Sequence, residues 1–339
     1  MRILFLGTAA SISSSRSRLP AIAFQLQNSG EIILFDTGED IQRAYIEAKL
    51  KLNKPMTILI THMHGDHVIG LPGFLFRLNL SNRERDLEII GPRGLFFYLL
   101  SHRLTVGLIT NYSIYVREID LENGEVLVYP PLNKDFSLEN LESRISREKI
   151  KDSSIIKETN NYTIKVLQAD HSAVQNFSYV FEEQDPPGKF NPERAQELGV
   201  PRGYLWNKLQ KGHPVTLEDG VVVDPVKSGI LGKSRKGRIL VVSGDTKPTD
   251  AMRNYLKEHQ ISVLIHEATF LDELRDLAEE KKHTTVKEAA LLAKEGNVEK
   301  LILTHFSARY LDDLDKIEKE ARDFFEGTII ATDGFIFEL

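Results

Sequence analysis

Residues 56–67 read MTILITHMHGDH: an aliphatic and β-branched run from Met56 to Ile60, then three histidines and an aspartate crowded between His62 and His67. Short runs of this composition are strand-like. A lone histidine is more often structural than functional. Burying four such groups together without an ion, however, leaves neighbours competing for protons and partners. The stretch reads as a metal-binding loop, with His62, His64, Asp66 and His67 as ligands, at the end of a buried strand.

Neutral imidazole and carboxylate suit zinc best, with manganese or iron as alternatives. The chain has no cysteine, so thiolate sites and disulfides are excluded. Four donors that alternate along a short loop do not fit round one ion, which points to two ions and to further ligands elsewhere.

Those ligands are sought at other strand ends. RILFLG, EIILFDTG, MTILITH, LEIIG, YTIKVLQADH, RILVVSGDT, SVLIHEAT, KLILTHFS and TIIATDG are short apolar runs, and Asp36, His62, His171, Asp245 and His305 stand just past five of them. Loops at the ends of buried strands are where rigid scaffolds present chemistry. His171, Asp245 and His305 supply the missing number, and Asp245 has two oxygens with which to bridge. Helical patterns lie between the runs, most clearly TTVKEAALLAKEG after His283 and DDLDKIEKEARDFFEG before Gly327. Alternating strands and helices give an α/β class. The two halves look alike, without a fixed-period repeat.

The 339 residues are 41% hydrophobic and 27% charged, enough for a sizeable core in one or two domains. MRILFLG reads as a first strand rather than a signal peptide, and no stretch approaches the roughly 20 apolar residues of a membrane span. The expectation is no membrane association and a cytoplasmic location. The net charge of -6 argues against coating nucleic acid by bulk electrostatics and leaves room for a local basic patch. Two segments read as insertions within a single domain spanning 1–339. Residues 130–161 are polar, with no sustained strand or helix pattern and no assigned role. Residues 182–220 carry four of the thirteen prolines before His213 and the only tryptophan, Trp206, and read as a protruding arm or a surface loop.

HMHGDH resembles the HxHxDH signature of the metallo-β-lactamase superfamily, and Asp36, His171, Asp245 and His305 follow in the order of its further motifs. That resemblance implies a four-layer αββα sandwich of two mixed sheets flanked by helices. It implies that His62, His64 and His171 hold one zinc ion and Asp66, His67 and His305 the other, with Asp245 bridging and Asp36 orienting a ligand histidine.

LGTAAS, THMHGDHVIGLPGF, SGDTKP, HEATF and HTTVKEAALLAKE with LTHFSARY are similar to one branch, the tRNA 3′-processing endonucleases called tRNase Z or ribonuclease Z. The branch implies precursor tRNA as substrate and a homodimer. It also implies Asp66 as the water-orienting group, His283 as proton donor to the leaving oxygen, and Glu267 as the residue that tunes it. Ser307 and Arg309 become candidate phosphate contacts, an ion pair being the other reading of Arg309. Residues 182–220 become a tRNA-binding arm, with Arg202, Lys208 and Lys211 as phosphate contacts and Trp206 as apolar support. Arg202 interrupts what is normally a Gly-Pro turn there, and the arm's first half is acidic. Lys227, Lys233, Arg235, Lys236 and Arg238 form a second basic run suited to a duplex backbone or a solvated face. The competing readings are a small-molecule hydrolase on the same scaffold, such as a phosphodiesterase, arylsulfatase or lactonase, and a non-catalytic RNA-binding protein.

Overall fold

All nine quoted runs form strands in the computed structural model, which describes residues 1–27, 29–172 and 175–339. Among these residues the strands build two large sheets and one small one. The first sheet runs in the order Ile336–Glu338, Arg2–Gly7, Ala21–Gln25, Ile32–Phe35, Met56–Leu59, Leu87–Gly91, Ile114–Asp120, Glu125–Val128, Ser146–Lys149. Its centre is parallel, from Ile32–Phe35 to Ile114–Asp120, and both flanks are antiparallel. The second sheet runs Thr328–Ile330, Lys300–Thr304, Val263–Glu267, Ile239–Val242, Phe177–Glu183, Tyr162–Gln168, Ile155–Glu158. Its first four strands are parallel.

The central strands are apolar at nearly every position because both faces are covered. On one face, Leu34, Ile58 and Ile89 share a core with Leu71, Phe74, Leu75 and Phe96 of the helices Leu71–Leu80 and Leu95–Val106. On the other face Phe35 meets Tyr179 of the second sheet, with ring centroids 6.2 Å apart, and the Tyr179 hydroxyl donates to the Ile60 carbonyl at 2.7 Å. The helices Val286–Glu295 and Leu314–Phe324 cover the second sheet from outside. Helix, sheet, sheet and helix therefore stack as four layers, and the candidate ligands collect where strand ends of both sheets meet.

The chain forms two compact units. The first comprises Met1–Ile156, Ile164–Val180 and Leu240–Leu339, and the second Lys157–Thr163 and Phe181–Ile239. The second unit contains the expected arm but extends beyond residue 220. It has its own small core of Ala195, Val200, Leu209, Val215, Val223 and Ile230, against which Phe190 and Trp206 pack. The segment 130–161 is also more ordered than its composition suggests. Ser146–Lys149 is an edge strand paired with Glu125–Val128. Phe136, Leu141 and Ile145 pack on the main core. The edge strand SREK is exposed at every position, so it carries no apolar face to reveal it, and charges protect it from further pairing. Among the described residues no helix is long and apolar enough to cross a membrane.

Candidate metal centre and proton-transfer pair

Two turns bring Asp36 against the histidine loop. The strand Ile32–Phe35 ends at Asp36, whose φ of +57° turns the carboxylate inward, a left-handed conformation uncommon for a side chain other than glycine. The next residues, Thr37 and Gly38, lie against the short helix Gly65–Val68: Thr37 N donates to the His67 carbonyl at 2.8 Å and Gly70 N to the Thr37 carbonyl at 3.0 Å. A Cβ on Gly70 would stand 2.1 Å from the Gly38 carbonyl oxygen, so only glycine allows this approach.

Asp36 then accepts three hydrogen bonds: from Thr61 N at 2.8 Å, from the Thr61 hydroxyl at 2.9 Å and from His67 Nδ1 at 2.8 Å. With Nδ1 holding the proton, His67 turns Nε2 toward the centre of the site. His171 is oriented by a backbone group, its Nδ1 donating to the Lys282 carbonyl at 3.1 Å.

Among the described residues, His62, His64 and His171 bring ligand atoms within 4.8 Å of one another, and so do Asp66, His67, Asp245 and His305; His283 joins two further such groups, one with His171 and Asp245 and one with Glu267 and His305. Asp245 stands between the first two groups. Its Oδ2 lies 4.0 Å from Nε2 of both His62 and His171 and 3.4 Å from His67 Nε2, while Oδ1 lies 3.2 Å from His305 Nε2. The Nε2 atoms of His62, His67 and His305 are buried and make no hydrogen bond. Three buried imidazole nitrogens without partners, facing shared carboxylates, fit divalent cations held by nitrogen and oxygen.

The electrostatics agree. Burial works against a charge on His67, yet Asp245 and Asp36 outweigh it and raise the group well above the usual imidazole range. Burial likewise opposes charge on Asp66 and Asp245, and the surrounding histidines overcome it, His305 first, so both stay below the usual carboxylate range. His62 is driven well below its usual range by burial and by His67. Buried negative charge is thus balanced by protons on imidazoles, the balance that a bound cation replaces.

Beside the two donor groups, His283 Nδ1 lies 2.8 Å from Glu267 Oε1. Burial lowers the affinity of His283 for its proton, but the Glu267 carboxylate dominates and pushes it up to about 9. Thr285, two residues on, is the N-cap of Val286–Glu295 in a capping box with Glu288. An open cleft of about 460 Å³ is lined by His64, Asp66, His171, His283, Ser307 and Arg309, together with Ser11, whose amide donates to Asp66 Oδ2 at 3.1 Å. The Arg309 guanidinium sits over the Phe270 ring at 5.5 Å.

In the second unit, Arg202, Lys208 and Lys211 lie on or beside the helix Tyr204–Gln210. Arg202 stacks over Trp206 and Lys208 over Tyr204, and Trp206 Nε1 donates to the Val200 carbonyl at 2.9 Å. Arg235 of the second basic run is engaged by Glu183, at 2.8 Å to each carboxylate oxygen. Sequence reading missed Thr61, Thr269 and the Lys282 carbonyl. Thr61 directly precedes His62 and Thr269 lies within HEATF, so the motifs contained them without disclosing their roles.

Solved structures place the fold. Human tRNase Z, short form, aligns with a TM-score of 0.62 at 22% identity, covering 100% of this chain and 99% of that one. The metallo-β-lactamase fold protein YhfI of Bacillus subtilis aligns with a TM-score of 0.60 at 15% identity, covering 99% of this chain and 98% of that one. Fold and site together define a protein of the metallo-β-lactamase fold with a candidate metal centre.

Closer relatives narrow the class. A ribonuclease Z of Nitrosopumilus maritimus is 34% identical over 100% of both chains, and one of Methanosarcina acetivorans is 36% identical over 100% of this chain and 98% of its own. The family model described as anti-Pycsar protein Apyc1 matches residues 1–184. By these matches the chain belongs over its whole length to the ribonuclease Z family, and through residues 1–184 to the family of that model.

Proposed function

We propose that this protein is a zinc-dependent endoribonuclease that removes the 3′ trailer from precursor tRNA and leaves a 3′-hydroxyl on the tRNA. The observation that carries the reading is that His283, held by Glu267 at 2.8 Å, lines the same cleft as His64, Asp66, His171 and Asp245, members of the two donor groups. Full-length similarity to ribonuclease Z proteins supports it and disfavours a small-molecule hydrolase. The intact donor set disfavours a non-catalytic RNA-binding protein.

His62, His64 and His171 would hold one zinc ion and Asp66, His67 and His305 the second, with Asp245 shared. The bound pair would supply a water of lowered pKa and charge to stabilise the attacking and leaving oxygens of an in-line displacement. Asp66 orients that water for attack on phosphorus. As the phosphorus bond to the tRNA 3′ oxygen breaks, His283 gives that oxygen its proton, and the phosphate leaves on the trailer. Glu267 keeps the proton on His283 until then. Ser307 and Arg309, on the cleft wall, hold phosphate oxygens beside the scissile bond.

Arg202, Lys208 and Lys211 of the second unit grip the tRNA backbone, and Lys227, Lys233 and Lys236 extend that basic surface. The working form is a cytoplasmic homodimer in which the arm of one subunit serves substrate cut by the other. Incubation with an end-labelled precursor tRNA tests the function: a single chelator-sensitive cut at the trailer junction is expected, and no cut there under zinc-replete conditions overturns it. Light scattering tests the dimer, which a monomeric mass overturns.

A further inference from the structure

Two carboxylates in this site each serve two imidazoles, one directly and one through a threonine hydroxyl. Asp36 meets His67 directly, at 2.8 Å, and reaches His62 through Thr61, whose hydroxyl lies 2.9 Å from Asp36 Oδ2 and 3.0 Å from His62 Nδ1. Glu267 meets His283 directly, also at 2.8 Å, and reaches His305 through Thr269, whose hydroxyl lies 2.6 Å from Glu267 Oε2 and 3.0 Å from His305 Nδ1. The first frame joins two candidate ligands. The second joins a candidate ligand to the candidate proton donor.

A hydroxyl has one proton to give and lone pairs with which to accept. At Thr269 the shortest contact is to a carboxylate oxygen, which only accepts, so the proton lies there. The Thr269 oxygen then accepts from His305 Nδ1. That leaves the lone pair of His305 on Nε2, the buried atom that faces Asp66 and Asp245. Glu267 has little freedom to adjust, since Oε1 also accepts from Thr246 N at 2.8 Å and Oε2 from Thr269 N at 3.3 Å. Thr246 directly follows the shared Asp245, so the same carboxylate steadies that residue as well.

We infer that Thr269 is a positioning residue that locks His305 and His283 into one frame through Glu267, and that Thr61 is its counterpart for His62. The inference rests on the two-ion reading above. Outer hydrogen bonds of this kind set the tautomer and direction of a ligand imidazole, and their loss typically weakens metal binding about 10- to 100-fold.

The test is zinc affinity by competition with a chromophoric chelator, together with 113Cd NMR of the cadmium-loaded protein. Thr269→Val keeps the shape and removes the hydroxyl. It is expected to weaken one of two ions about 10- to 100-fold and to move one of two cadmium resonances, with Thr269→Ser restoring both. Thr61→Val is expected to affect the other ion. Should Thr269→Val fail to fold, Thr269→Ala carries the same expectation without added bulk. Two ions held with parental affinity in Thr269→Val, or both weakened equally, overturn the inference while leaving the two-ion reading in place. A parent protein that binds fewer than two ions overturns that reading and the inference with it.

Discussion

The carbonyl of Lys282 accepts a hydrogen bond from His171 Nδ1 at 3.1 Å, so the residue before His283 orients a candidate ligand contributed from 111 positions away. Lys282 has φ +54° and ends the helix Arg275–Lys281, while its ammonium pairs with Asp170 at 2.9 Å. Backbone and side chain are separable here. The ion pair is partly exposed and contributes at most about 1 kcal/mol, whereas a left-handed residue other than glycine costs about 1 kcal/mol or more. Lys282→Gly should therefore keep zinc content and stay within about 1 kcal/mol of the parent in urea denaturation. Lys282→Val loses the same pair and adds a β-branched strain at positive φ, and it should lose both stability and zinc. Equal behaviour of the two variants would show that the turn does not position His171.

The pH dependence of cleavage follows from Glu267. Burial alone lowers the proton affinity of His283, and the carboxylate reverses the sign and brings it to about 9. A proton donor works only while protonated, so kcat/KM on precursor tRNA should fall as pH rises through that value. Glu267→Gln removes the charge and leaves burial unopposed, so the alkaline limb should move to lower pH. With bis(p-nitrophenyl) phosphate, whose leaving group departs without a proton, the shift should be absent. An unchanged profile on tRNA would remove Glu267 from the role of holding that proton.

Much of this centre was legible because its ligands stand at strand ends and strands of aliphatic residues announce themselves. Asp36, His62, His171, Asp245 and His305 could be found that way. Strands such as Ile114–Asp120 and Phe177–Glu183 were harder, since polar residues interrupt their apolar pattern: Glu118, buried within the first, is held there by Gly94 N, Phe96 N and the Tyr129 hydroxyl. Thr61 and Thr269 were illegible for another reason. A threonine acquires its role only when folding brings a carboxylate and an imidazole within hydrogen-bond reach of its oxygen, and nothing in local spacing records that. The second unit runs past residue 220 because its core takes Val223 and Ile230 from the short apolar runs Val221–Val223 and Ile230–Leu231, which are too brief and too interrupted by Asp224, Pro225 and Gly229 to announce a core element.

Metal removal should expose how the site is divided. An ion that binds only the folded protein stabilises it by about 2.7 kcal/mol when its concentration is a hundredfold above Kd. The melting temperature should therefore drop after exhaustive chelation and recover with zinc. His64→Ala touches one donor group and should abolish part of the recovery. Asp245→Ala touches both and should abolish more of it, because this carboxylate lies within 4.0 Å of imidazoles from each group. Equal losses in the two variants would argue against a shared ligand.

The second unit sets how RNA gripping has to be tested. Deleting residues 184–212 would remove Ala195, Val200 and Leu209 and leave Val215, Val223 and Ile230 without the core they complete, so a fall in cleavage would report misfolding as readily as weakened RNA binding. Charge reversal avoids this. Lys211 and Arg202 are exposed, and Lys208 is half-buried against Tyr204. Removing one phosphate contact should weaken binding across sequences and reduce the salt slope of log K by about 1. Lys211→Glu and Arg202→Glu should therefore raise KM for precursor tRNA, flatten its salt dependence and leave bis(p-nitrophenyl) phosphate turnover unchanged. Arg202→Glu gives up its stacking on Trp206 and Lys208→Glu its packing on the Tyr204 ring, so the melting temperatures of both must be matched to the parent before their KM is read. Unchanged salt slopes in all three variants would place the tRNA contacts elsewhere, with Lys227, Lys233 and Lys236 the next to reverse, since Arg235 is already held by Glu183.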